Sequence, residues 1–275
     1  MKILMLCSPQ GIQKALSHKI NNLVGLDGLI IVQGIQNRNI SIFKLILRLW
    51  QRFSTVLTFF IFRRAWFNML RHYNSRFNDF CISPNLFCDD VNDSAVASFI
   101  SDFKPDLVVV SGTNLLKEPL INEIHKHGKV INLHTGISPY IKGGPNCTNW
   151  CLFLREFNLI GNTVMWLDKG IDSGNIITTE MTPLTGEESL LDLHIKVMDH
   201  AHMLYTESIR RFSKGVILPD ISQNDFEIKR LFLSKQWGLF QMLIALFNFY
   251  VYYHKGSKYL IISDSVRLIK LSNSI

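Results

Sequence analysis

The feature that most limits the fold of this chain is a set of short apolar runs with no polar residue inside them. Residues 3–7 are five consecutive apolar residues, and residues 107–110 are four. A strand that is apolar on both faces is typical of a parallel sheet covered by helices on each side. Helical patterns separate the runs, at residues 10–23, 94–103 and 117–127. The alternation predicts an α/β fold with a Rossmann-like, doubly wound, mostly parallel sheet.

Two polar side chains end another of these runs. In residues 130–134, Asn132 and His134 alternate with Ile131 and Leu133, so both polar side chains leave the predicted strand on the same face. Burying such groups without partners is costly, and ligands of open α/β sheets bind beyond the carboxyl ends of the strands. The pattern indicates that Asn132 and His134 face a ligand. The alternative is that they only finish a buried strand.

A third candidate group lies in a loop between two predicted strands, at residues 162–168 and 174–181. Asp172 stands in this loop between Gly170 and Gly174, which allow the backbone to approach a ligand closely. A histidine, an asparagine and an aspartate at one sheet edge can supply a proton relay and an oxyanion donor. The residue types alone leave open that Asp172 merely begins a turn.

These residues stand in motifs that resemble those of the folate-dependent formyltransferases. Asn132-x-His134, followed by Pro139 and Gly143, is similar to the family's signature. Residues 167–174, which read Leu-Asp-Lys-Gly-Ile-Asp-Ser-Gly, are similar to its second motif. Any one motif would be weak, whereas together they are specific to this family.

The resemblance covers about residues 93–215, with a weaker echo in residues 1–7. Residues 104–112 resemble the strand and loop that precede the catalytic strand of the family. Two departures are visible. Residues 135–138 read Thr-Gly-Ile-Ser where the family usually has Pro-Ser-Leu-Leu, and Asn175 replaces a common aspartate. Both departures lie where the substrate preference could change.

The resemblance implies transfer of a formyl group from 10-formyltetrahydrofolate to an amine. Asn132 would donate its amide to the developing oxyanion, and His134 would either contact the oxyanion or accept a proton. Asp172 would orient His134 or relay protons, and which of the two is the base stays open. The folate pocket would be edged by the loop after the preceding strand and by the aspartate loop, at Gly112, Thr113, Asn114, Leu115, Leu116, Asp168 and Gly170.

The identity of the amine depends on what surrounds this core. Methionyl-tRNA formyltransferases resemble the core but carry a sizeable C-terminal β-barrel, whereas 60 residues follow Gly215 here. Sugar N-formyltransferases act on nucleotide-linked amino sugars for surface polysaccharides such as O-antigen, and combine the core with a short variable tail. We therefore expect a nucleotide-linked amino sugar, with tRNA as the less favoured alternative. A catalytically idle, membrane-associated binding protein is the alternative outside enzymes.

The pattern divides the chain into a catalytic domain, residues 1–215, and a small tail subdomain, residues 216–275. Within the first, residues 39–78 read as a basic, amphipathic helical insertion, and residues 80–83 as a short strand after it. The tail is expected to hold a helix near residues 236–253 and a strand near residues 259–262.

Charge and cysteine content predict the partners and the compartment. No Asp or Glu occurs between residues 28 and 78, which hold eight Lys or Arg, and the net charge is +7. Such a stretch favours an anionic neighbour: a diphosphate, a tRNA backbone or a weak peripheral contact with an anionic membrane. A second copy of the chain, giving a homodimer, is another candidate partner.

Five scattered cysteines without a CxxC pair suggest a reducing compartment. No signal-peptide pattern or run of about 18 apolar residues is present, so the sequence predicts a cytoplasmic protein. Cys147 and Cys151 are expected in the core, since two such ligands alone make a poor metal site.

Overall fold

The computed structural model describes residues 1–34, 60–144, 146–170, 172–255 and 266–271. The strands in these ranges are β1 Ile3–Cys7, β2 Gly28–Val32, β3 Leu86–Cys88, β4 Leu107–Ser111, β5 Lys129–His134, β6 Lys142–Gly143, β7 Gly161–Trp166, β8 Ile176–Met181 and β9 Leu231–Phe232. The α-helices are α1 Gly11–Val24, α2 Ile61–Asn74, α3 Ser94–Phe103, α4 Glu118–His125, α5 Cys147–Leu154, α6 Leu190–Ser213 and α7 Leu239–Val251.

Seven strands form one sheet in the order β3-β2-β1-β4-β5-β7-β8. The first five run parallel, and β7 and β8 add antiparallel strands beside β5. The strands β6 and β9 form a separate parallel pair. This architecture confirms the predicted doubly wound, mostly parallel sheet.

Alternate residues of each central strand belong to different cores. Ile3 and Met5 of β1 pack with α1 and α6, whereas Leu4 and Leu6 pack with the cluster formed by α3 and α4. Each of these four side chains is at most 1% exposed. The uninterrupted apolar run in β1 therefore exists because both of its faces are covered.

A third core joins helix α5 to the tail. Trp150 of α5 stacks on Phe232 of β9 with ring centroids 4.5 Å apart, and it meets Trp237 edge-on at 5.0 Å. Asn248 of α7 donates to the backbone oxygens of Leu152 and Phe153, at 2.9 Å each. The tail thus shares buried surface with α5. The boundary between residues 215 and 216 stays a prediction.

Two local predictions meet different outcomes. The strand expected at residues 80–83 is wrong: these residues are irregular, and the neighbouring strand is β3. Phe80, Cys81 and Ile82 are apolar because they pack against the core beneath α1 rather than because they pair in the sheet. The described part of the predicted basic insertion contains helix α2. This helix lies in the crossover between β2 and β3 and packs on α1 and α6.

Residues 39–59 and the strand predicted at residues 259–262 lie outside the described residues. Among the described helices, none combines the length and the apolar content that crossing a bilayer requires.

Candidate active site

Every residue that the sequence nominated for the site lines one cavity of about 510 Å³. The cavity opens at the carboxyl end of β5, which lies between β4 and β7. The nominated residues in its wall are Gly112, Thr113, Asn114, Leu115, Leu116, Asn132, His134, Asp168, Gly170 and Asp172. Asn132 and His134 share a face of β5, as their spacing predicted. The chemical roles of these residues stay predictions.

His134 and Asp172 form a buried pair at the cavity wall. The Nδ1 atom of His134 lies 3.2 Å from Oδ2 of Asp172, and the two side chains are 7% and 15% exposed. The same carboxylate oxygen accepts the backbone N–H of Gly143 at 3.1 Å. Asp172 adopts a left-handed backbone conformation with φ 47°, which costs energy for a residue other than glycine. The backbone strain in this loop therefore occurs at the residue whose carboxylate contacts His134.

The other ring nitrogen of His134 is also engaged by the protein. Nε2 lies 3.3 Å from the backbone oxygen of Ile141 and 3.4 Å from Sγ of Cys147, the first residue of α5. A Cβ atom built on Gly136 would lie 2.6 Å from Nε2. Gly136 is therefore required for the imidazole to occupy this position.

The surroundings of His134 favour its charged form. Burial by itself lowers the pKa of His134, but the carboxylate of Asp172 outweighs burial, and the pKa rises to about 9. Burial raises the pKa of the Cys147 thiol. At neutral pH the site therefore holds an imidazolium and a protonated thiol, and this thiol can donate to the backbone oxygen of Gly143 at 3.5 Å.

Asn132 differs from the buried pair. Its side chain is partly exposed to the cavity, and its amide makes no hydrogen bond within the described part of the chain. An amide that faces a cavity without a protein partner is available to a ligand. Asn132 can thus donate a hydrogen bond beside the His134–Asp172 pair.

Side-chain hydrogen bonds hold the two loops that line the cavity at residues 112–116 and 168–174. Asn114 donates to Asp90 Oδ1 at 2.7 Å and accepts from the N–H of Val91 at 3.1 Å. Asp168 accepts from the N–H of Gly170 at 3.0 Å and from the hydroxyl of Ser173. These contacts leave a preformed cavity with backbone groups along its edge.

The sequence model of the formyl transferase family matches residues 73–209, the segment that carries Asn132, His134 and Asp172. This segment belongs to the formyl transferase family. The resemblance on which the sequence interpretation rests is therefore confirmed.

Proteins similar to this chain are formyltransferases that are named for different substrates. A methionyl-tRNA formyltransferase from Citrifermentans bemidjiense is 28% identical over 140 residues, which are 51% of this chain and 43% of that protein. The chain thus matches less than half of that relative's length.

Two solved structures match more of the chain, at low sequence identity. A sugar N-formyltransferase from a Shewanella species superposes with a TM-score of 0.57 at 12% identity, covering 90% of this chain and 88% of that one. An N-formyltransferase from Helicobacter canadensis, in complex with folinic acid and dTDP-3-aminofucose, gives a TM-score of 0.51 at 14% identity. That match covers 90% of this chain and 81% of the other. These likenesses establish the common fold.

The structure places a residue against the aspartate loop that the sequence did not reveal. Gln223 lies outside the family match, in the tail, and is 4% exposed. Its Nε2 donates to the backbone oxygens of Asp172 and Gly174, at 2.8 Å each, and its Oε1 accepts from Lys142 at 3.2 Å. No local pattern signals such a contact, because 51 residues separate Gln223 from Asp172. Cys147 was expected only as a core residue, which it is, but it also touches the histidine.

Proposed function

We propose that the chain transfers a formyl group from 10-formyltetrahydrofolate to the amine of a nucleotide-linked amino sugar. The observation that carries the proposal is the convergence of Asn132, His134 and Asp172 on one cavity of a formyl transferase fold. The cavity volume of about 510 Å³ is within the usual range for a small-molecule site.

The folate is expected between the loops at residues 112–116 and 168–174. Gly112 has φ 71°, and a Cβ atom there would lie 2.8 Å from Nε2 of Gln13. Glycine thus lets this loop turn sharply and leave its backbone groups at the cavity edge, where they can bind the polar edge of a pterin. The Helicobacter relative, which binds folinic acid, supports the same choice of co-substrate.

The three side chains suit the chemistry of formyl transfer. The Asn132 amide donates to the formyl oxygen as the new C–N bond forms, and the nearby imidazolium of His134 adds positive charge. Because His134 is already protonated, we assign the base to Asp172, which takes the proton from the attacking amine directly or through a water molecule. The pair returns that proton to the folate nitrogen as the old C–N bond breaks.

These roles predict the effect of removing each member of the pair. His134→Ala and Asp172→Ala should each lower kcat by about 10²-fold or more while the protein stays folded. Steady-state kinetics, with circular dichroism as the folding control, provide the measurement. Turnover near that of the wild type in either variant would contradict the assignment of that residue.

A second cavity has a lining that suits the nucleotide of the proposed amine substrate. Its volume is about 390 Å³, and its wall combines aromatic, amide, histidine and arginine side chains, at Phe62, Arg63, Trp66, Asn146, Asn149 and His194. Asn149 is 8% exposed, and its Oδ1 has no hydrogen-bond partner within the described ranges. A nucleotide base can donate an N–H to the unpaired Oδ1 of Asn149 and can stack its ring on Trp66. The guanidinium of Arg63 can bind a diphosphate.

This second cavity is close to the reacting groups along the chain. Asn146, in its wall, immediately precedes Cys147, whose Sγ lies 3.4 Å from His134. A sugar bridging the two cavities would present its amine to Asp172. The match of the Shewanella sugar N-formyltransferase to 90% of this chain also supports an amino sugar.

Formylation of methionyl-tRNA is the second candidate. The observation in its favour is the 28% identity to a methionyl-tRNA formyltransferase over 140 residues. Long anionic ligands would engage the exposed arginines of α2 more broadly than a single diphosphate would.

The deciding experiment offers the purified protein both substrate classes. With 10-formyltetrahydrofolate present, we expect a formylated product, identified by mass spectrometry, from at least one nucleotide-linked amino sugar and not from methionyl-tRNA. A tetrahydrofolate analogue should raise the melting temperature, since it binds only the folded state. No thermal shift at saturating analogue would count against a folate enzyme, and a formylated tRNA alone would favour the second candidate.

Substitution of two neighbouring, exposed arginines tests the role of the second cavity. Arg63 lines the cavity, whereas Arg64 does not. Arg63→Gln should raise the KM for the sugar nucleotide about tenfold or more, and Arg64→Gln should leave it nearly unchanged. Equal effects of the two substitutions would indicate a diffuse charge effect rather than a defined diphosphate site.

A further inference from the structure

We infer that Gln223, a residue of the C-terminal tail, is a positioning residue that holds the Asp172 loop against His134. Gln223 acts on the backbone of the loop and not on any reacting atom. Only the kinetic test of this inference rests on the proposed function. The structural test measures the pKa of His134 directly and does not depend on that function.

The contacts of Gln223 fix both its place and its orientation. Its two Nε2 hydrogens are satisfied by the carbonyl oxygens of Asp172 and Gly174, and its Oε1 is satisfied by the ammonium of Lys142. Two acceptors on one side and a donor on the other allow one orientation of the amide. A buried side chain with its hydrogen bonds satisfied in this way is costly to replace.

The same tail segment also supports the group that binds the Asp172 carboxylate. Gly143, whose N–H donates to Asp172 Oδ2, lies in β6, and β6 pairs with β9 of the tail. A Cβ atom on Gly143 would lie 2.1 Å from the backbone oxygen of Phe232, so the two strands are in close contact. Tail residues thus hold Asp172 by its backbone through Gln223, and support its carboxylate partner through β9.

Gln223 is needed because the Asp172 backbone is strained. A left-handed aspartate, with φ 47°, persists only where surrounding contacts over-determine it. Of the groups facing His134 in the described structure, Asp172 is the acid, while Cys147 and the backbone oxygen of Ile141 complete its surroundings. If the loop relaxes, the buried imidazole loses the charge that keeps it protonated.

Asn248 provides a matched control for Gln223. It is another buried tail amide that donates to two carbonyl oxygens of the catalytic half, but those carbonyls belong to Leu152 and Phe153, away from the Asp172 loop. The test compares Gln223→Met with Asn248→Leu, which remove the amides. It also compares Gln223→Glu with Asn248→Asp. In each of these variants a carboxylate replaces the amide that faces two carbonyl oxygens.

The first readout is the pKa of His134, measured by NMR titration of its ring protons, beside the melting temperature of each variant. All four substitutions should lower the melting temperature. Of the two substitutions that remove an amide, only Gln223→Met should lower the His134 pKa, by about one unit or more, since an opposite charge nearby accounts for 1–3 units. If the pKa is unchanged in folded Gln223→Met, or falls equally in Asn248→Leu, Gln223 is not a positioning residue.

The second readout is the dependence of kcat on pH. The Gln223 variants should lose about tenfold or more in kcat with little change in KM, and their pH profile should shift with the His134 pKa. The Asn248 variants should keep the wild-type profile. If the wild type does not formylate any substrate, the proposed function fails, while the NMR titration still decides the role of Gln223.

Discussion

At the residue scale, the site depends on a glycine whose only role is to leave space. A Cβ atom on Gly136 would lie 2.6 Å from His134 Nε2, 2.8 Å from the oxygen of Ile141 and 2.9 Å from Cys147 Cβ. Gly136→Ala should therefore displace the imidazole and lower kcat by about 10²-fold, the cost of a misplacement of about 1 Å. Gly238→Ala is the control, because its added methyl meets nothing closer than 3.5 Å. Wild-type kcat in Gly136→Ala would show that the histidine tolerates the shift.

The His134–Asp172 pair also makes stability depend on pH. The folded-state pKa of His134, about 9, lies above its ordinary value of 6.5. The stabilisation from the pair is therefore complete below pH 6.5 and is lost as the pH rises through about 9. We expect the difference in melting temperature between the wild type and His134→Gln to shrink between pH 6.5 and 9.5. A difference that stays constant across this range would mean that His134 does not titrate there.

At the scale of elements, Glu188 connects the start of α6 to the end of α7. Its buried carboxylate accepts from Lys196 at 2.6 Å, from the Tyr253 hydroxyl at 2.7 Å and from the N–H of Gly186 at 2.9 Å. Burial alone raises the pKa of Glu188, but the bonds from Lys196 and Tyr253 hold that pKa far below its usual range. The carboxylate therefore stabilises the packing of the tail against α6.

Replacing Glu188 should show that contribution. Glu188→Gln should lower the free energy of unfolding by roughly 2 kcal/mol at pH 7, less than for a fully buried ion pair because Lys196 is half exposed. Since the folded pKa of Glu188 is depressed, the difference between wild type and variant should shrink as the pH falls below about 4.5. Urea unfolding at several pH values measures it. Glu118→Gln, which breaks an exposed ion pair with Lys169, should change little.

The elements also show what the sequence could predict. The strands β1, β4 and β5 were predicted because their own residues carry the signal: uninterrupted apolar runs in β1 and β4, and alternating polar and apolar residues at the end of β5. Residues 80–83 misled because burial against the core under α1 produces the same apolar pattern as a strand. The site residues Asn132, His134 and Asp172 could be predicted from motifs. The contact of Gln223 could not, because it depends on tertiary folding and has no local sequence pattern.

At the scale of the whole molecule, the tail completes the core around α5. Ala245, Phe249 and Tyr253 of the tail are at most 2% exposed and share a cluster with Trp150 and Phe157. The family match ends at residue 209, before any of these tail residues. Removing the tail would expose large aromatic side chains to water, and burial of each contributes about 1.5–3 kcal/mol.

This arrangement predicts that residues 1–215 do not fold alone. The fragment should lack near-ultraviolet circular dichroism and aggregate in gel filtration, while co-expression with residues 216–275 should restore a soluble complex. A fragment 1–215 that melts cooperatively by itself would support the predicted boundary as a boundary between independent domains.

The tail supports the Asp172 loop directly through Gln223 and indirectly through β9 and Gly143, so this support arises late in synthesis on the ribosome. Sixty residues separate Asp172 from Phe232, and a ribosome that adds about 5–20 residues per second needs roughly 3–12 s to make them. During that interval the nascent chain contains Asn132, His134 and Asp172 but lacks the full set of tail groups that support the loop. The emerging protein therefore carries the three predicted site residues, without the support of the tail, until residues 223–232 have been made.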